Sequence, residues 1–478
     1  MKPIDPSAGK VVKIRYLCHP NHNRTSPTAM QQRNFEPLFI LIVSGIFLFF
    51  VAGGVLHVFP GKPEGITAPE SLPVKSVDKQ PLLVVKPDSL RALFADQDTI
   101  SSLFTGLDEF YHSIQHIQAD HTILHIAYFG DSMIEGDLVT QSLRRAVQKR
   151  FGGSGIGFIP VTSPLPGFRT TIRQSFNNSW SVCSFVHPCR TDGISPGISG
   201  FAFVSEEGAE TKFESAKGFG PFHQAEILFG GKNRIVADIR TDTSFRTLSL
   251  APEKPVSSVK IATDSAYSVL EINVRSTEPG VFYGVNFENG PGVYVDNYAF
   301  RGNSGLPLSA IPPEIYSGFN ATLKNKLLVL HYGLNVFTPG VEDYHWYETA
   351  MVNVVRHVRQ SSPGVSILLI SMPDRSALIM GEYHTPAGLP EFIQLQKRVA
   401  EKEHIAFFNL YEAMGGANSM KKWVEGEPKM GGDDYTHPNG AGAAKIASLV
   451  YDFLMKGYDL YLQKPDSAVV NKPGIPLL

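Results

Sequence analysis

The longest apolar run in the chain lies near its start. Residues 38–59, LFILIVSGIFLFFVAGGVLHVF, carry no formal charge, and as a helix they would be about 33 Å long. A bilayer hydrocarbon core is about 30 Å thick, so this pattern predicts a transmembrane helix. Lysine and arginine outnumber acidic residues in 1–37. The positive-inside rule therefore predicts that residues 1–37 form a cytoplasmic segment.

A cleaved signal peptide is the alternative for this segment. Its charged leader is normally short and its apolar core runs about 7–15 residues, and both are longer here. We therefore predict an uncleaved, single-pass signal-anchor in an inner membrane, with the rest of the chain exported to the periplasm or cell envelope. Residues 60–90 are rich in proline and charge, which favours an extended linker.

Strand and helix patterns alternate in two separate parts of the exported region, 91–164 and 294–463. In the first part, the apolar run HTILHIAYFG is typical of a buried strand that ends at Gly130. Apolar residues then recur every four positions from Val139 to Phe151, which predicts a helix. The second part continues the alternation. This order predicts an α/β domain with a mostly parallel sheet covered by helices.

Residues 165–293 have a different pattern. Short β-type runs such as FAFV, AEILFG, RIVADIR and SVLEINVR are separated by glycine and proline clusters. Such spacing is typical of a β-sandwich, so we predict one inserted into the α/β domain. The tail, 464–478, is expected to be disordered.

Composition and charge narrow the range of functions. Apolar residues make up 43% of the chain and charged residues 18%, with a net charge of −2, which favours packed domains and gives no reason to expect nucleic acid as a partner. The three cysteines, Cys18, Cys183 and Cys189, form no CxxC pair, so no thiolate metal site is expected. Cys183 and Cys189 bracket a short loop, and are either a disulfide in an oxidising compartment or two reduced, buried cysteines.

Two polar motifs carry candidate chemistry. GDSMIEGD places Ser132 between the predicted strand and helix, and DDYTHPNG places Asp434 and His437 just before the last predicted helix. A serine nucleophile needs a base, and the base needs an orienting group. His437 can serve as that base if Asp434 holds its Nδ1. Taken singly, Ser132 and Asp434 are as well explained as helix caps, and His437 as a loop histidine.

Further candidates follow other strands of the predicted sheet. RGNSG contains Gly302, and HYGLN contains Gly333 and Asn335. Ligands of α/β sheets bind at the carboxyl ends of the strands. The backbone N–H groups of Ser132 and Gly302 and the amide of Asn335 are donors of the type that stabilises an oxyanion.

A second serine tests this reasoning. GISPG, at 193–197, matches the G-x-S-x-G string of a nucleophile elbow. That elbow needs a strand before the serine and a helix after it, and Ser195 lies in the β-rich region with neither. We therefore do not expect Ser195 to be catalytic.

GDSMIEGD, RGNSG, YGLN and DYTHP, in this order, resemble the four sequence blocks of the SGNH (GDSL-type) hydrolases. The resemblance implies a three-layer α/β/α fold. It also implies Ser132 as nucleophile, His437 as base and Asp434 as its orienting group, with Gly302 and Asn335 joining the Ser132 amide in the oxyanion hole. Such enzymes need no metal or organic cofactor. Here Met133 replaces the usual leucine of the first block.

A narrower resemblance is to bacterial peptidoglycan O-acetylesterases, in which a carbohydrate-binding-like β domain interrupts the SGNH fold. RFGGSGIGFIPV, and the stretch from FYGVNFENG to RGNSG, are similar to segments of those enzymes. The resemblance implies an O-acetylated glycan substrate. It also makes Asp374 and Arg375 of SMPDRS candidates for lining the site, with an ordinary loop salt bridge as the alternative. Asp131 and Gly333 are further lining candidates.

These observations predict a membrane-anchored, exported esterase. It would remove O-acetyl groups from a cell-envelope glycan such as peptidoglycan, through an acetyl-enzyme. An O-acetyltransferase with the same triad, and a lipase or thioesterase, remain alternatives, as does a catalytically inactive glycan-binding protein. The glycan, any sugar binding by the β insert and the oligomeric state are left open.

Overall fold

The computed structural model describes residues 103–189 and 193–464. The predicted cytoplasmic segment, the transmembrane span 38–59, the linker and all of the predicted tail except Lys464 lie outside these residues. Within the described ranges, no helix has both the length and the apolar character needed to cross a membrane.

A five-stranded parallel sheet forms the centre of the α/β domain. Its spatial order is β13 (Gly292–Ala299), β1 (Ile123–Gly130), β14 (Asn325–His331), β15 (Ser366–Ile370) and β18 (Ala406–Phe408). All four pairings are parallel. The strands are almost wholly buried, as expected for a parallel sheet covered by helices. The prediction of an α/β fold with a mostly parallel sheet is confirmed.

The helices that cover this sheet form two groups. The described α-helices are α1 (Asp108–His116), α2 (Leu138–Phe151), α3 (Pro313–Leu323), α4 (His345–Ser361), α5 (Leu389–Lys402), α6 (Leu410–Met414), α7 (Ser419–Glu425) and α8 (Gly440–Tyr461). Helix α8 packs on α1 and α2, while α4 packs on α3 and α5. Short 3₁₀ segments lie at Ser132–Asp137, Pro166–Phe168 and Leu306–Ala310.

Two antiparallel sheets are built from the chain between α2 and β13. Their strands are β2 (Gly157–Pro160), β3 (Ile172–Phe176), β4 (Trp180–Ser184), β5 (Phe201–Ser205), β6 (Glu210–Ser215), β7 (Phe222–Gly230), β8 (Ile235–Thr241), β9 (Phe245–Leu250), β10 (Ser257–Tyr267), β11 (Val269–Val274) and β12 (Gly280–Glu288). The first sheet has the order β10-β7-β12-β5-β4, with β2 added beside β12, and the second has the order β3-β6-β11-β8-β9. A small hairpin elsewhere pairs β16 (Ala377–Ile379) with β17 (Glu382–His384).

The two sheets share one apolar core and so form a sandwich. Phe203 and Phe282 of the first sheet lie in the same buried cluster as Phe213 and Leu270 of the second. The first sheet is also buried on its other face, where Tyr283 packs on Phe319 of α3. The β insert and the α/β domain therefore meet across a packed apolar junction.

Two strands lie across the boundaries that the sequence predicts for the insert. Strand β2, assigned from sequence to the first part of the α/β domain, pairs antiparallel with β12. At the other end, β13 begins at Gly292, within the range predicted for the insert, but pairs with β1 of the parallel sheet. A four-residue strand has too few positions to show an alternation, and the partner of β2 lies more than a hundred residues along the chain.

Candidate active site

Ser132 follows β1 directly and lies at the start of a 3₁₀ segment. Its hydroxyl donates to His437 Nε2 at 2.8 Å. His437 Nδ1 lies 2.6 Å from Asp434 Oδ2, to which it donates when the proton is on Nδ1. The sequence motifs, separated by 305 positions, thus meet in one serine–histidine–aspartate chain.

Helix capping does not account for these residues. Asp131 is the N-cap of the 3₁₀ segment, and its Oδ1 accepts the Met133 N–H at 3.0 Å. Asn439, not Asp434, caps α8 by accepting the N–H groups of Ala441 and Gly442. Ser132 and Asp434 are therefore available for the contact with His437.

The short loop from Asp434 to His437 holds the carboxylate in its charged form. Burial alone would raise the pKa of Asp434. The His437 N–H, the His437 ring and the Thr436 N–H outweigh it, and together they lower that pKa below its usual value. An ionised Asp434 fixes the His437 proton on Nδ1 and leaves Nε2 free to take a proton from Ser132.

The catalytic chain is open to solvent. The side chain of Asp434 is 53% exposed and that of His437 is 36% exposed. A large substrate can therefore reach Ser132, and so can water.

Gly302 lies in the loop after β13. The Phe300 N–H donates to the Gly130 carbonyl at 2.9 Å, which holds this loop against the end of β1. Gly302 has φ +77, and a Cβ there would meet nothing within 4 Å. Glycine is thus required by the backbone conformation and not by crowding. Within the described ranges, the N–H groups of Ser132 and Gly302 have no protein acceptor.

Asn335 follows β14 and lies at the same edge of the sheet. Its Nδ2 donates to Asp131 Oδ2 at 2.9 Å and to the Asn303 carbonyl at 3.2 Å. The amide is therefore positioned beside the catalytic turn, and must exchange one of these acceptors to bind an oxyanion.

Asp131 is buried between these groups. Burial raises the pKa of Asp131 to about 6, although the Met133 N–H, His437 and Asn335 oppose the rise. Its contacts make it a positioning group for Asn335 and the turn, not a residue that lines open space.

Two of the other lining candidates, Gly333 and Asp374, are held in packed surroundings. Gly333 is a packing residue, since a Cβ there would lie 2.7 Å from Met372 Cβ. Asp374 is fully buried, and its oxygens accept from Thr385 Oγ1 at 2.6 Å and from the Met420 N–H at 2.8 Å. These contacts give no support to a lining role for either residue, and they also replace the loop salt bridge considered for Asp374.

Arg375 lies closer to the catalytic chain. Burial lowers the pKa of its guanidinium, and the nearby Asp434 opposes that shift. The next residue, Ser376, donates its N–H to the Tyr435 carbonyl at 2.9 Å. Arg375 is therefore the lining candidate that lies near enough to the catalytic loop for Asp434 to influence its charge.

Two residue pairs beside the serine–histidine–aspartate chain were not predicted from the sequence. Tyr383 stacks on Tyr435 with ring centroids 3.5 Å apart, and Glu135 pairs with Arg301 beside Gly302. Neither pair has a local sequence signal, because the partners come from distant segments. The rejected Ser195 lies in an irregular stretch, 193–200, which contains neither strand nor helix.

A disulfide joins Cys183 and Cys189, with their Cα atoms 4.8 Å apart. Cys183 belongs to β4, so the bond closes the short loop at the end of that strand.

Comparisons with known proteins agree with this geometry. The model of the GDSL-like lipase/acylhydrolase family matches residues 275–445, a range that contains Gly302, Asn335, Asp434 and His437. Ser132 lies outside the matched range, on the other side of the β insert along the chain. No curated protein matches the chain significantly.

Solved structures resemble the chain in fold. A peptidoglycan O-acetylesterase structure, "Peptidoglycan O-acetylesterase in action", has a TM-score of 0.61 and 23% identity, covering 74% of this chain and 96% of that one. A family two carbohydrate esterase from Cellvibrio japonicus has a TM-score of 0.25 and 11% identity, with 61% and 99% covered. A salicylyl-acyltransferase from a tetracycline biosynthetic pathway has a TM-score of 0.28 and 12% identity, with 63% and 96% covered. Of these three, the first is similar enough to support the fold.

The matched family domain, the fold and the serine–histidine–aspartate geometry agree. Residues 275–445 match the GDSL-like lipase/acylhydrolase family, Ser132, His437 and Asp434 have the geometry of a serine esterase, and the fold is similar to that of a peptidoglycan O-acetylesterase.

Proposed function

We propose that this esterase removes O-acetyl groups from a cell-envelope glycan, with peptidoglycan as the leading substrate. The observation that carries the proposal is the Ser132–His437–Asp434 chain in a site open enough for a polymer. The similarity in fold to a peptidoglycan O-acetylesterase supports the substrate class.

Acylation uses Ser132 as the nucleophile. Its Oγ attacks the acetyl carbonyl carbon while His437 Nε2 takes the hydroxyl proton. Negative charge develops on the carbonyl oxygen, and the N–H groups of Ser132 and Gly302 stabilise it, joined by the Asn335 amide. The intermediate then collapses. The sugar oxygen leaves with the proton from His437, and the acetyl group stays on Ser132.

Deacylation repeats these steps with water. His437 Nε2 takes a proton from water, whose oxygen attacks the acetyl carbon, and the second intermediate releases acetate. The proton returns to Ser132 Oγ. Asp434 keeps His437 oriented and stabilises its positive charge in both halves of the reaction.

The exposed site favours hydrolysis over acyl transfer by the same residues. A transferase must keep water from the acyl-enzyme, and here Asp434 and His437 are in contact with solvent. The hydrogen bond between the Ser132 hydroxyl and His437 argues against an inactive binding protein.

We also propose that the protein is exported and anchored by a single helix over 38–59. The uncharged run and the cationic residues before it support this topology. The Cys183–Cys189 disulfide supports it as well, since such bonds persist in oxidising compartments.

Acetate release tests the proposed function. Ser132→Ala should lower acetate release from O-acetylated peptidoglycan, and hydrolysis of 4-nitrophenyl acetate, by at least about 10³-fold, because no other group supplies the nucleophile. Ser195→Ala is the matched control and should keep full activity. Full activity in Ser132→Ala would exclude this mechanism, and wild-type enzyme that releases no acetate from the glycan would exclude this substrate.

A further inference from the structure

The loop that carries Asp434 and His437 lies at the surface, between α7 and α8. Within this loop, the Gly432 N–H donates to the His437 carbonyl at 2.7 Å, and the Tyr435 N–H donates to the Gly432 carbonyl at 3.1 Å. Both bonds join residues of the loop to each other. The position of the loop relative to Ser132 therefore also depends on contacts from other segments.

Tyr435 occupies the strained position of this loop. Its φ is +53, in the left-handed region that a bulky residue other than glycine rarely adopts. The next two residues, Thr436 and His437, direct their N–H groups back to Asp434 Oδ1, at 3.0 and 2.9 Å. The turn at Tyr435 thus orients the carboxylate that holds the histidine. A strained backbone of this kind persists only where the surrounding structure holds it.

Three segments outside the loop hold Tyr435. The Tyr383 ring of β17 lies parallel to the Tyr435 ring, with an interplanar angle of 5° and ring centroids 3.5 Å apart. The Tyr435 hydroxyl donates to Glu425 Oε1 of α7 at 3.2 Å. The Ser376 N–H donates to the Tyr435 carbonyl at 2.9 Å. Of these contacts, the ring stack is the one that restrains the face of the side chain.

The hairpin β16–β17, which carries Tyr383, is fastened at its base. Thr385 follows β17, and its Oγ1 donates to Asp374 Oδ1 at 2.6 Å. The other carboxylate oxygen, Asp374 Oδ2, accepts the Met420 N–H of α7 at 2.8 Å. The Thr385 N–H also donates to Asn418 Oδ1 at 3.0 Å. The buried Asp374 therefore ties the hairpin to α7, and the Tyr383 ring is presented from a fixed support.

We propose that Tyr383 is a positioning residue for catalysis, which acts by stacking on Tyr435 and so holds the loop 434–437 in place. Without the stack, the Tyr435 backbone relaxes toward ordinary angles, and the N–H groups that hold Asp434 turn away from it. His437 then samples positions in which its Nε2 does not reach Ser132. The inference rests on the proposed esterase function and gives the hairpin β16–β17 a part in it.

Hydrolysis of 4-nitrophenyl acetate by the full chain tests this role, because this small ester reports on the catalytic chain and not on glycan binding. Tyr383→Ala should lower kcat by roughly 10- to 100-fold, as a small displacement of a catalytic group does. KM should stay close to that of the wild type, because acylation and deacylation both use His437 and slow together. Tyr383→Phe keeps the ring and should restore the wild-type kcat.

Two further variants control for the fold of the hairpin. Met380→Ala is the matched control, because Met380 is fully exposed at the tip of the same hairpin, and it should keep the wild-type kcat. Tyr383→Val introduces a β-branched residue that suits a strand, and it should lose as much activity as Tyr383→Ala. It keeps the test decisive if Tyr383→Ala does not fold.

A double-mutant cycle tests whether Tyr383 acts through Tyr435. Glycine adopts a positive φ without strain, so Tyr435→Gly removes the stack but permits the turn. In that background, Tyr383→Ala should change kcat by less than about twofold. The low-field proton resonance of the His437 Nδ1–H bonded to Asp434 is a second readout. It should be lost in Tyr383→Ala and kept in Tyr383→Phe.

The outcomes separate failure of this inference from failure of the proposed function. Wild-type kcat in Tyr383→Ala would overturn the positioning role while leaving the esterase intact. Equal losses in Tyr383→Ala and Tyr383→Phe, or a further tenfold loss in the Tyr435→Gly background, would overturn the ring stack as its cause. A wild-type protein that does not hydrolyse the ester at all would instead overturn the proposed function.

Discussion

At the scale of single residues, the orientation of His437 depends on one exposed carboxylate. Asp434→Asn would present an amide to His437 Nδ1, and an amide N–H there favours the tautomer that cannot accept the Ser132 proton. We expect kcat for 4-nitrophenyl acetate to fall by about 10³- to 10⁴-fold with little change in stability. The neighbouring Asp433→Asn is the control, because Asp433 is 91% exposed. Comparable activity in the two variants would remove Asp434 from the mechanism.

Asp131 predicts a pH dependence of stability. Its pKa is raised in the folded protein from 3.8 to about 6, so the folded state binds this proton more tightly than the unfolded state. Stability is therefore lost as pH rises from about 4 to about 6, by up to about 3 kcal/mol.

Asp131→Asn should remove this contribution and flatten the curve. Urea unfolding at pH 4, 5, 6 and 7 measures it, with the exposed Asp264→Asn as the control. An unchanged slope in Asp131→Asn would mean that this carboxyl titrates normally.

At the scale of elements, a buried charged cluster joins three strands. His125 of β1 lies between Asp296 of β13, at 2.7 Å, and Glu288 of β12, at 2.9 Å. Burial disfavours a charged imidazole, but the two carboxylates raise the pKa of His125 to about 9. The parallel sheet and the β insert are thus connected by an imidazolium as well as by apolar packing.

His125→Gln should destabilise the protein by about 3–5 kcal/mol, because it leaves two buried carboxylates without their cation. The stabilisation by His125 is lost as pH rises, whereas a carboxyl whose pKa is lowered by folding loses its stabilisation as pH falls. The His125 stabilisation is complete below about pH 6.5 and is lost as pH rises through about 9. Unfolding at pH 6.5, 8 and 9.5 checks both points, with the exposed His223→Gln as the control. Parallel curves for His125→Gln and wild type would show that His125 is neutral when buried.

These elements also show what the sequence could predict. The Asp434–His437 contact could be predicted because both partners lie within four residues. The position of Ser132 could be predicted because a clear apolar strand precedes it. The His125 cluster could not be predicted from the sequence. It depends on how β2 and β12 join the insert to the sheet, and β2 is too short to show a period. The burial of Asp374 could not be predicted from the sequence either, because its partners, Thr385 and Met420, come from later segments.

At the scale of the whole molecule, the described residues belong to one compact unit that begins at Val84. Its catalytic chain, its parallel sheet and its β insert all lie after that point. The predicted membrane helix, 38–59, lies entirely before it. Attachment to the membrane and catalysis should therefore be separable.

A chain that begins at Val84 should fold, remain soluble, and hydrolyse 4-nitrophenyl acetate with the kcat/KM of the full chain, because every residue of the catalytic chain is retained. The full chain should fractionate with membranes. Alkaline phosphatase fused after residue 90 should be active, since this reporter folds only after export, whereas fusion before residue 38 should leave it inactive. A full-length protein in the soluble fraction would exclude the anchor, and the reverse pattern of reporter activity would exclude the proposed orientation.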